Sequence, residues 1–322
     1  MMLSIVIPVY NEGKGVQVAL DATVSVMSSQ LPQLDFEVIF VDDGSRDDSF
    51  AHLSSLCARF PYVRVIRLAS NCGSHMAIRA GLEHSHGDAA CFLACDLQEP
   101  PSLIPPMLDA LETPVQIVWA VRRTRRDSWQ SRMFAKGFYG LARLVVSKNL
   151  PPTGASMFLL GSDALKAVRL YGERNLTLEG LFATMGFRQA FVGYDREMRR
   201  FGRSKWTLAK RLKLFADFFV GYSYTPIRLM SYLGMGLAVL GFLYALLVVF
   251  NRIFLSTPIE GWTSLMVVVL VIGGVQMTMM GVVGEYVWRT LDEARARPRY
   301  IIDTVLQTPR PREPTGDRVD MA

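Results

Sequence analysis

Apolar residues in the first part of the chain come in short runs, separated by polar turns and by stretches of helical spacing. Leu3 to Pro8 is one such run, ending at Asn11-Glu12-Gly13, after which Val16, Leu20 and Val24 recur at the interval of a helix face. Glu37 to Val41 predicts a second strand, closed by Asp42-Asp43-Gly44-Ser45, where turn and helix-capping residues open another helical stretch. Val63 to Leu68 predicts a third, followed by Asn71 to Gly81 and a helix towards His86. Ala89 to Ala94 predicts a fourth, closed by Cys95-Asp96-Leu97-Gln98-Glu99-Pro100-Pro101, and Gln116 to Val121 a fifth. Strands alternating with helices imply an α/β domain with a mostly parallel sheet covered on both faces. Such sheets bind ligands at the carboxyl ends of their strands. Asn11-Glu12, Asp42-Asp43, Asn71 and Asp96-Gln98 all fall at those ends, so one crevice would collect them, although each cluster alone is also what a turn requires.

Past about Tyr224 the pattern changes. Leu229 to Phe250 and Ser264 to Gly284 carry no charged side chain, and roughly 20 apolar residues are what a helix needs to cross the hydrocarbon core. Asn251 to Gly261, with Pro258 and Gly261, is too short to fold alone, so the two helices should form an antiparallel hairpin. Before them, Leu208, Leu212, Phe215, Phe218, Phe219 and Tyr222 recur at helical spacing with Lys210, Arg211 and Lys213 between, which predicts a helix lying in the membrane interface. The expected organisation is a globular domain over 1–206, an amphipathic juxtamembrane helix over 207–224, two membrane helices within 225–290, and a cytosolic tail over 291–322 that is disordered from Thr308 onward. Basic residues flank the hairpin on both outer sides, and only Arg252 is basic in its loop. The positive-inside rule then puts both termini and the large domain on the cytoplasmic side of the inner membrane. Ser4 to Tyr10 reads as a strand, not as a secretory leader.

The formal net charge of +6 gathers beside the apolar helices. Anionic head groups and substrate phosphates account for it better than nucleic acid, which is not expected as a partner. The four cysteines have no paired C-x-x-C spacing and read as reduced structural thiols. Gly273, Gly274, Gly281 and Gly284 would let the second span pack closely against another helix, so a homo-oligomer is among the expected partners.

A carboxylate and an amide two residues apart, Asp96 and Gln98, can help hold a hard cation such as Mg²⁺, which is commonly bound by one or two carboxylates together with substrate phosphates. Arg122-Arg123-Thr124-Arg125-Arg126, with Arg132 and Lys136, follows the fifth strand at the same crevice. Guanidinium groups grip phosphate in a bidentate fork, and the alternative for this run is a solvated or head-group-binding loop.

Ile5-Val6-Ile7-Pro8-Val9-Tyr10-Asn11-Glu12, Val41-Asp42-Asp43-Gly44-Ser45 and Asp96-Leu97-Gln98-Glu99-Pro100-Pro101 resemble glycosyltransferase family 2, with its GT-A, Rossmann-like fold. Arg200-Phe201-Gly202-Arg203-Ser204-Lys205-Trp206, the amphipathic stretch, Pro226 and the hairpin resemble its polyprenyl-phosphate glycosyltransferase branch. The resemblance implies that Pro8, Tyr10, Glu12, Val41 and Asp43 hold the nucleoside of a sugar nucleotide. It adds Ser204 and Lys205 to the donor side, makes Asp96 and Gln98 ligands of Mg²⁺ or Mn²⁺, and gives Asp96, Arg122 and Arg132 catalytic or phosphate-contacting roles.

Two positions depart from the family pattern. Ala94-Cys95-Asp96 stands where Asp-x-Asp is usual, so one metal-side carboxylate is missing. Thr153-Gly154-Ala155 stands where many relatives have Thr-Gly-Asp, so a candidate base is missing too. A phosphate monoester is mostly dianionic at neutral pH and needs no base, whereas a sugar hydroxyl does. The expected reaction is inverting transfer from a UDP-sugar to undecaprenyl phosphate. Transfer to a sugar hydroxyl and a catalytically silent scaffold are the alternatives.

Overall fold

A computed structural model of the protein describes residues 1–123, 140, 143, 147–151, 155–172, 177–195, 225–254 and 261–308. The chain divides into two compact units: a sheet domain that includes the segment after Pro298, and a pair of long helices.

The sheet domain begins as the hydrophobic pattern predicts. Strands β1 (Met2–Val9), β2 (Asp35–Asp42), β3 (Val63–Leu68) and β4 (Ala89–Phe92) alternate with helices α1 (Gly15–Gln30), α2 (Ser49–Arg59) and α3 (Ser74–Glu83). A 3-10 turn, Pro101–Leu103, then runs into α4 (Ile104–Asp109). β5 (Val115–Arg122), β6 (Ala155–Leu160), α5 (Ser162–Leu170), α6 (Leu178–Thr184) and β7 (Arg188–Tyr194) follow, and β8 (Ile302–Gln307) comes last in the chain. The strand order is β7-β5-β6-β4-β1-β2-β3-β8. β1 pairs parallel with β2 and β4, β2 with β3, and β5 with β7, while β6 and β8 run antiparallel to their neighbours.

Burial on both faces explains why β1 and β2 read as continuous apolar runs. Leu3, Ile5, Ile7 and Val9 of β1 share one core with Val16, Ala19, Leu20 and Met27 of α1 and with Leu53 and Leu56 of α2. On the other face α3 comes so close to β1 that a Cβ on Gly81 would fall 2.3 Å from Val6 Cγ1. The amino-terminal strand ends are closed by the buried Glu37, which accepts from Ser4 Oγ at 2.7 Å and pairs with Arg64 Nη1 at 3.2 Å.

The end of the chain differs from a plain tail. Ile302–Gln307 pairs with β3, Ala69 N–H donates to Ile301 O at 2.8 Å, and Tyr300 OH donates to Glu83 Oε2 of α3 at 2.6 Å. Arg299 Nη1 lies 3.2 Å from the other oxygen of Glu83, and Thr308 Oγ1 donates to Cys57 O at 2.6 Å. These contacts make the returning segment part of the sheet domain.

The second unit consists of α7 (Thr225–Phe254) and α8 (Trp262–Ala294). Within them, 22 residues from Ile227 and 28 residues from Val267 are long and apolar enough to cross a membrane. Large apolar side chains such as Leu240, Phe242, Met277 and Met280 are exposed, a pattern that suits hydrocarbon surroundings. Gly234 of α7 lies against Met279 of α8, where a Cβ would meet Met279 Cε at 3.3 Å. The predicted juxtamembrane helix over 207–224 lies outside the described residues.

Candidate active site

At the carboxyl edge of the sheet, polar side chains bind the exits of β1 and β2 to each other. Asn11 adopts φ 54°, a left-handed conformation that asparagine tolerates better than most residues. Its N–H donates to Ser45 Oγ at 3.0 Å, and its Oδ1 accepts from Arg46 N–H at 2.9 Å. Ser49 Oγ, at the start of α2, accepts from Glu12 N–H at 3.0 Å and Gly13 N–H at 2.8 Å. Asp42 Oδ1 accepts from Ser45 N–H at 3.0 Å, while its Oδ2 lies 3.4 Å from Arg67 Nε. The backbone carrying Tyr10 and Glu12 is thereby fixed to the β2 exit.

Gly44 brings in the loop after β3. Its φ of 68° is left-handed, and a Cβ there would stand 2.8 Å from Ser70 C and 2.9 Å from Asn71 N. Beside it, Asp43 is 3% exposed and ties β2 to the start of α3. Its Oδ1 accepts from Cys72 N–H at 2.7 Å and its Oδ2 from Gly73 N–H at 2.9 Å. Burial pushes this carboxyl above its ordinary range, the two N–H groups pull the other way, and the charge of Asp42 adds to the rise. Each carboxylate oxygen has a second acceptor direction, so Asp43 keeps capacity for a ligand.

These loops and β8 enclose a cleft of about 430 Å³ lined by Tyr10, Gly44, Arg46, Arg67, Asn71 and Asp303, among others. Pro8 and Val41 are paired in register across β1 and β2. The Val41 side chain is fully buried, with its Cγ2 3.1 Å from the Cβ position of Gly81, so it offers a ligand only its main chain.

The β4 exit is a tight turn. Leu97 has φ 54° and a buried side chain, and its N–H donates to Ala94 O at 3.2 Å. A left-handed leucine costs about 1–3 kcal/mol, here offset by burial of its side chain. Gln98 N–H donates to Asp96 Oδ1 at 3.3 Å, which fixes the two predicted metal ligands relative to each other. Next to Asp96 in the chain is the buried Cys95, whose thiol is raised by burial and then by the charges of Glu12 and Asp96. Carboxylates from the β1 and β4 exits therefore act on one thiol. Among the described residues, no three of His, Cys, Asp and Glu converge on a point that would hold a metal by themselves.

Arg122 ends β5. Its Nε donates to Tyr194 OH at 3.3 Å, its Nη2 lies 3.5 Å from Glu99 Oε1, and Tyr194 OH donates to that same Glu99 oxygen at 2.9 Å. Arg132, Ser204 and Lys205 lie outside the described residues, as do Arg125, Arg126 and Lys136. Ala155 is the first residue of β6.

Residues 4–169 match Glycosyl transferase family 2, and residues 225–289 match the GtrB C-terminal hairpin. The chain belongs to glycosyl transferase family 2. Its sheet domain has the GT-A fold of that family, followed by the apolar helix pair. This family 2 member is 33% identical over 301 residues to an uncharacterized glycosyltransferase of Synechocystis sp., spanning 93% of this chain and 94% of that protein. It is 34% identical over 315 residues to the undecaprenyl-phosphate 4-deoxy-4-formamido-L-arabinose transferase of Edwardsiella ictaluri, spanning 97% and 96%. It is 30% identical over 306 residues to the prophage bactoprenol glucosyl transferase homolog of Escherichia coli, spanning 95% and 99%.

In the sequence Glu99 stands out only as part of a motif, and Tyr194, Arg67 and Asp303 are not among the expected site residues. For Tyr194 no signal was available, because an aromatic residue at a strand end is ordinary core chemistry. Glu99 and Arg67 were visible as charges inside otherwise apolar or turn-forming runs.

Proposed function

We propose that the protein moves a sugar, with inversion, from a nucleotide-sugar, expected to be a UDP-sugar, to undecaprenyl phosphate at the cytoplasmic face of a membrane that its helix pair spans. The observation that carries this reading is the extent of similarity: relatives named for undecaprenyl-phosphate or bactoprenol transfer align over 97% and 95% of this chain, hairpin included.

The site chemistry fits such a reaction. Tyr10 lines a cleft of about 430 Å³, Glu12 and Asp43 come from the β1 and β2 exits that form it, and carboxylates suit ribose hydroxyls and base N–H groups. Asp96 and Gln98 supply two oxygen donors, which fits a hard cation whose remaining positions are filled by diphosphate and water. When bound there, Mg²⁺ or Mn²⁺ would supply neutralising charge to the departing diphosphate. Arg122, held by Glu99 and Tyr194, presents a guanidinium suited to phosphate, and Arg132 is a second candidate for that role. The acceptor phosphate oxygen bonds to the anomeric carbon as the bond to the nucleoside diphosphate breaks, and the diphosphate leaves with the electron pair. A phosphate dianion needs no base, in keeping with Ala155 at the start of β6.

The test is incubation of the purified protein with Mg²⁺, undecaprenyl phosphate and radiolabelled UDP- and GDP-sugars, followed by organic extraction. Label in a lipid monophosphate-sugar is the expected result. Label entering only water-soluble or glycan products, or none beside an active relative, would overturn the reading.

A further inference from the structure

We infer that Asp303, on the strand that returns after the two apolar helices, is a specificity-determining residue of the donor cleft and accepts a hydrogen bond from the nucleoside of the nucleotide-sugar. This rests on the donor-site reading above and adds a residue from the far end of the chain.

The register of β8 on β3 carries the argument. Val65 pairs with Leu306, Ile66 with Val305 and Arg67 with Thr304, but Leu68 pairs with Ile302, so Asp303 is the extra residue of a bulge. Bulges re-aim a side chain at the end of a paired region. This one puts Asp303 in the lining of the cleft with Tyr10, Arg46, Arg67 and Asn71. Asp303 Oδ2 accepts from Thr304 Oγ1 at 3.1 Å; among the described residues, Oδ1 accepts no hydrogen bond.

A carboxylate is an acceptor only, so it selects for N–H and O–H groups and against phosphate. The wall formed by Asp303 thus suits the base or ribose, and the Asp96-Gln98 pair and Arg122, at the ends of β4 and β5 on the other side of β1, are left for the diphosphate. The backbone around the bulge is held firmly. Ala69 N–H donates to Ile301 O at 2.8 Å, and Tyr300 is bonded to Glu83, so the carboxylate projects from a fixed strand. Arg67, which shares the cleft, is itself fixed over the Phe50 ring at 4.2 Å and beside Asp42.

The experiment is calorimetric titration of the full-length protein in detergent with UDP, GDP and 2′-deoxy-UDP, for the parent, Asp303→Asn and Gln307→Ala. Gln307 is exposed on the same strand, outside the cleft lining. Asp303→Asn should weaken the preferred nucleotide about tenfold, as expected when a charge-assisted hydrogen bond becomes a neutral one. Gln307→Ala should bind like the parent, and the KM for the lipid phosphate should not change in either variant. A loss that persists with 2′-deoxy-UDP assigns the contact to the base or the 3′-hydroxyl, and one confined to UDP assigns it to the 2′-hydroxyl; both support the inference. Asp303→Asn binding within about twofold of the parent overturns it and leaves the donor-site reading intact. A parent that binds no nucleotide overturns both.

Discussion

Tyr194 OH donates to Glu99 Oε1 across 2.9 Å, joining residues 95 positions apart, and the same hydroxyl accepts from Arg122 Nε. The guanidinium at the end of β5 is therefore oriented by groups from two other elements. Tyr194→Phe should cost about 1 kcal/mol of stability and lower kcat/KM. Arg122→Lys should lower it further by losing the planar fork. If Tyr194 acts through Arg122, the double variant will be non-additive by about 0.5–3 kcal/mol. Additive effects in steady-state kinetics would show that the tyrosine serves stability alone.

Gly44 combines a left-handed φ with backbone of the β3 loop 2.8 Å from its missing Cβ. Gly44→Ala should destabilise the sheet domain by about 1–3 kcal/mol, within the range for strained backbone, and should widen the cleft. The expected reading is a lower melting temperature together with a reduced shift on adding UDP. A normal UDP shift would separate the loop contact from nucleotide binding.

Ala94 is half-buried beside the Asp96 turn, where the family pattern has a second carboxylate. Ala94→Asp should lower the Mg²⁺ concentration needed for half-maximal activity, because a hard cation gains an oxygen ligand. Asp96→Asn should abolish turnover. Activity titrated against Mg²⁺ checks both, and an unchanged Mg²⁺ requirement in Ala94→Asp would remove that position from the cation's surroundings.

Cysteine chemistry gives a test of the fold around the crevice. Cys57, Cys91 and Cys95 are buried, whereas Cys72 is half-exposed in the loop that bonds Asp43. Burial pushes the Cys91 thiol up to about 12 and the Cys95 thiol up as well, so neither forms the reactive thiolate in mild alkali. Iodoacetamide should label Cys72 first in the native protein, as read by peptide mass spectrometry, and bound UDP should slow it. Early labelling of Cys95 would contradict the buried β4 turn.

The first four strands and their polar turns were legible because strands buried on both faces are written as unbroken apolar runs, and because Asn, Asp and Gly mark their ends. Only part of the site was legible in the same way. Val41 stands in a matching motif, yet its side chain points towards Gly81 and the core, since β2 and β1 alternate faces in register. Arg122 was singled out for its charge, but its partners lie on a different strand and a turn, which spacing cannot reveal. In sequence, Ile302–Gln307 reads as tail because it mixes apolar and polar residues next to a charged, proline-rich end; in the structure it alternates half-buried and exposed residues, as an edge strand does. Only the pairing of β8 with β3 brings Asp303 to the cleft.

The pairing of β8 with β3 also sets an order for biogenesis. The strand that covers this edge is translated after both apolar helices, so the nascent sheet domain must wait for them with the outer edge of β3 unpaired, and an open edge is a template for wrong partners. The ribosome cannot release a finished catalytic domain before the hairpin exists. Assembly of the cleft that Asp303 lines is thereby tied to completion of the two apolar helices.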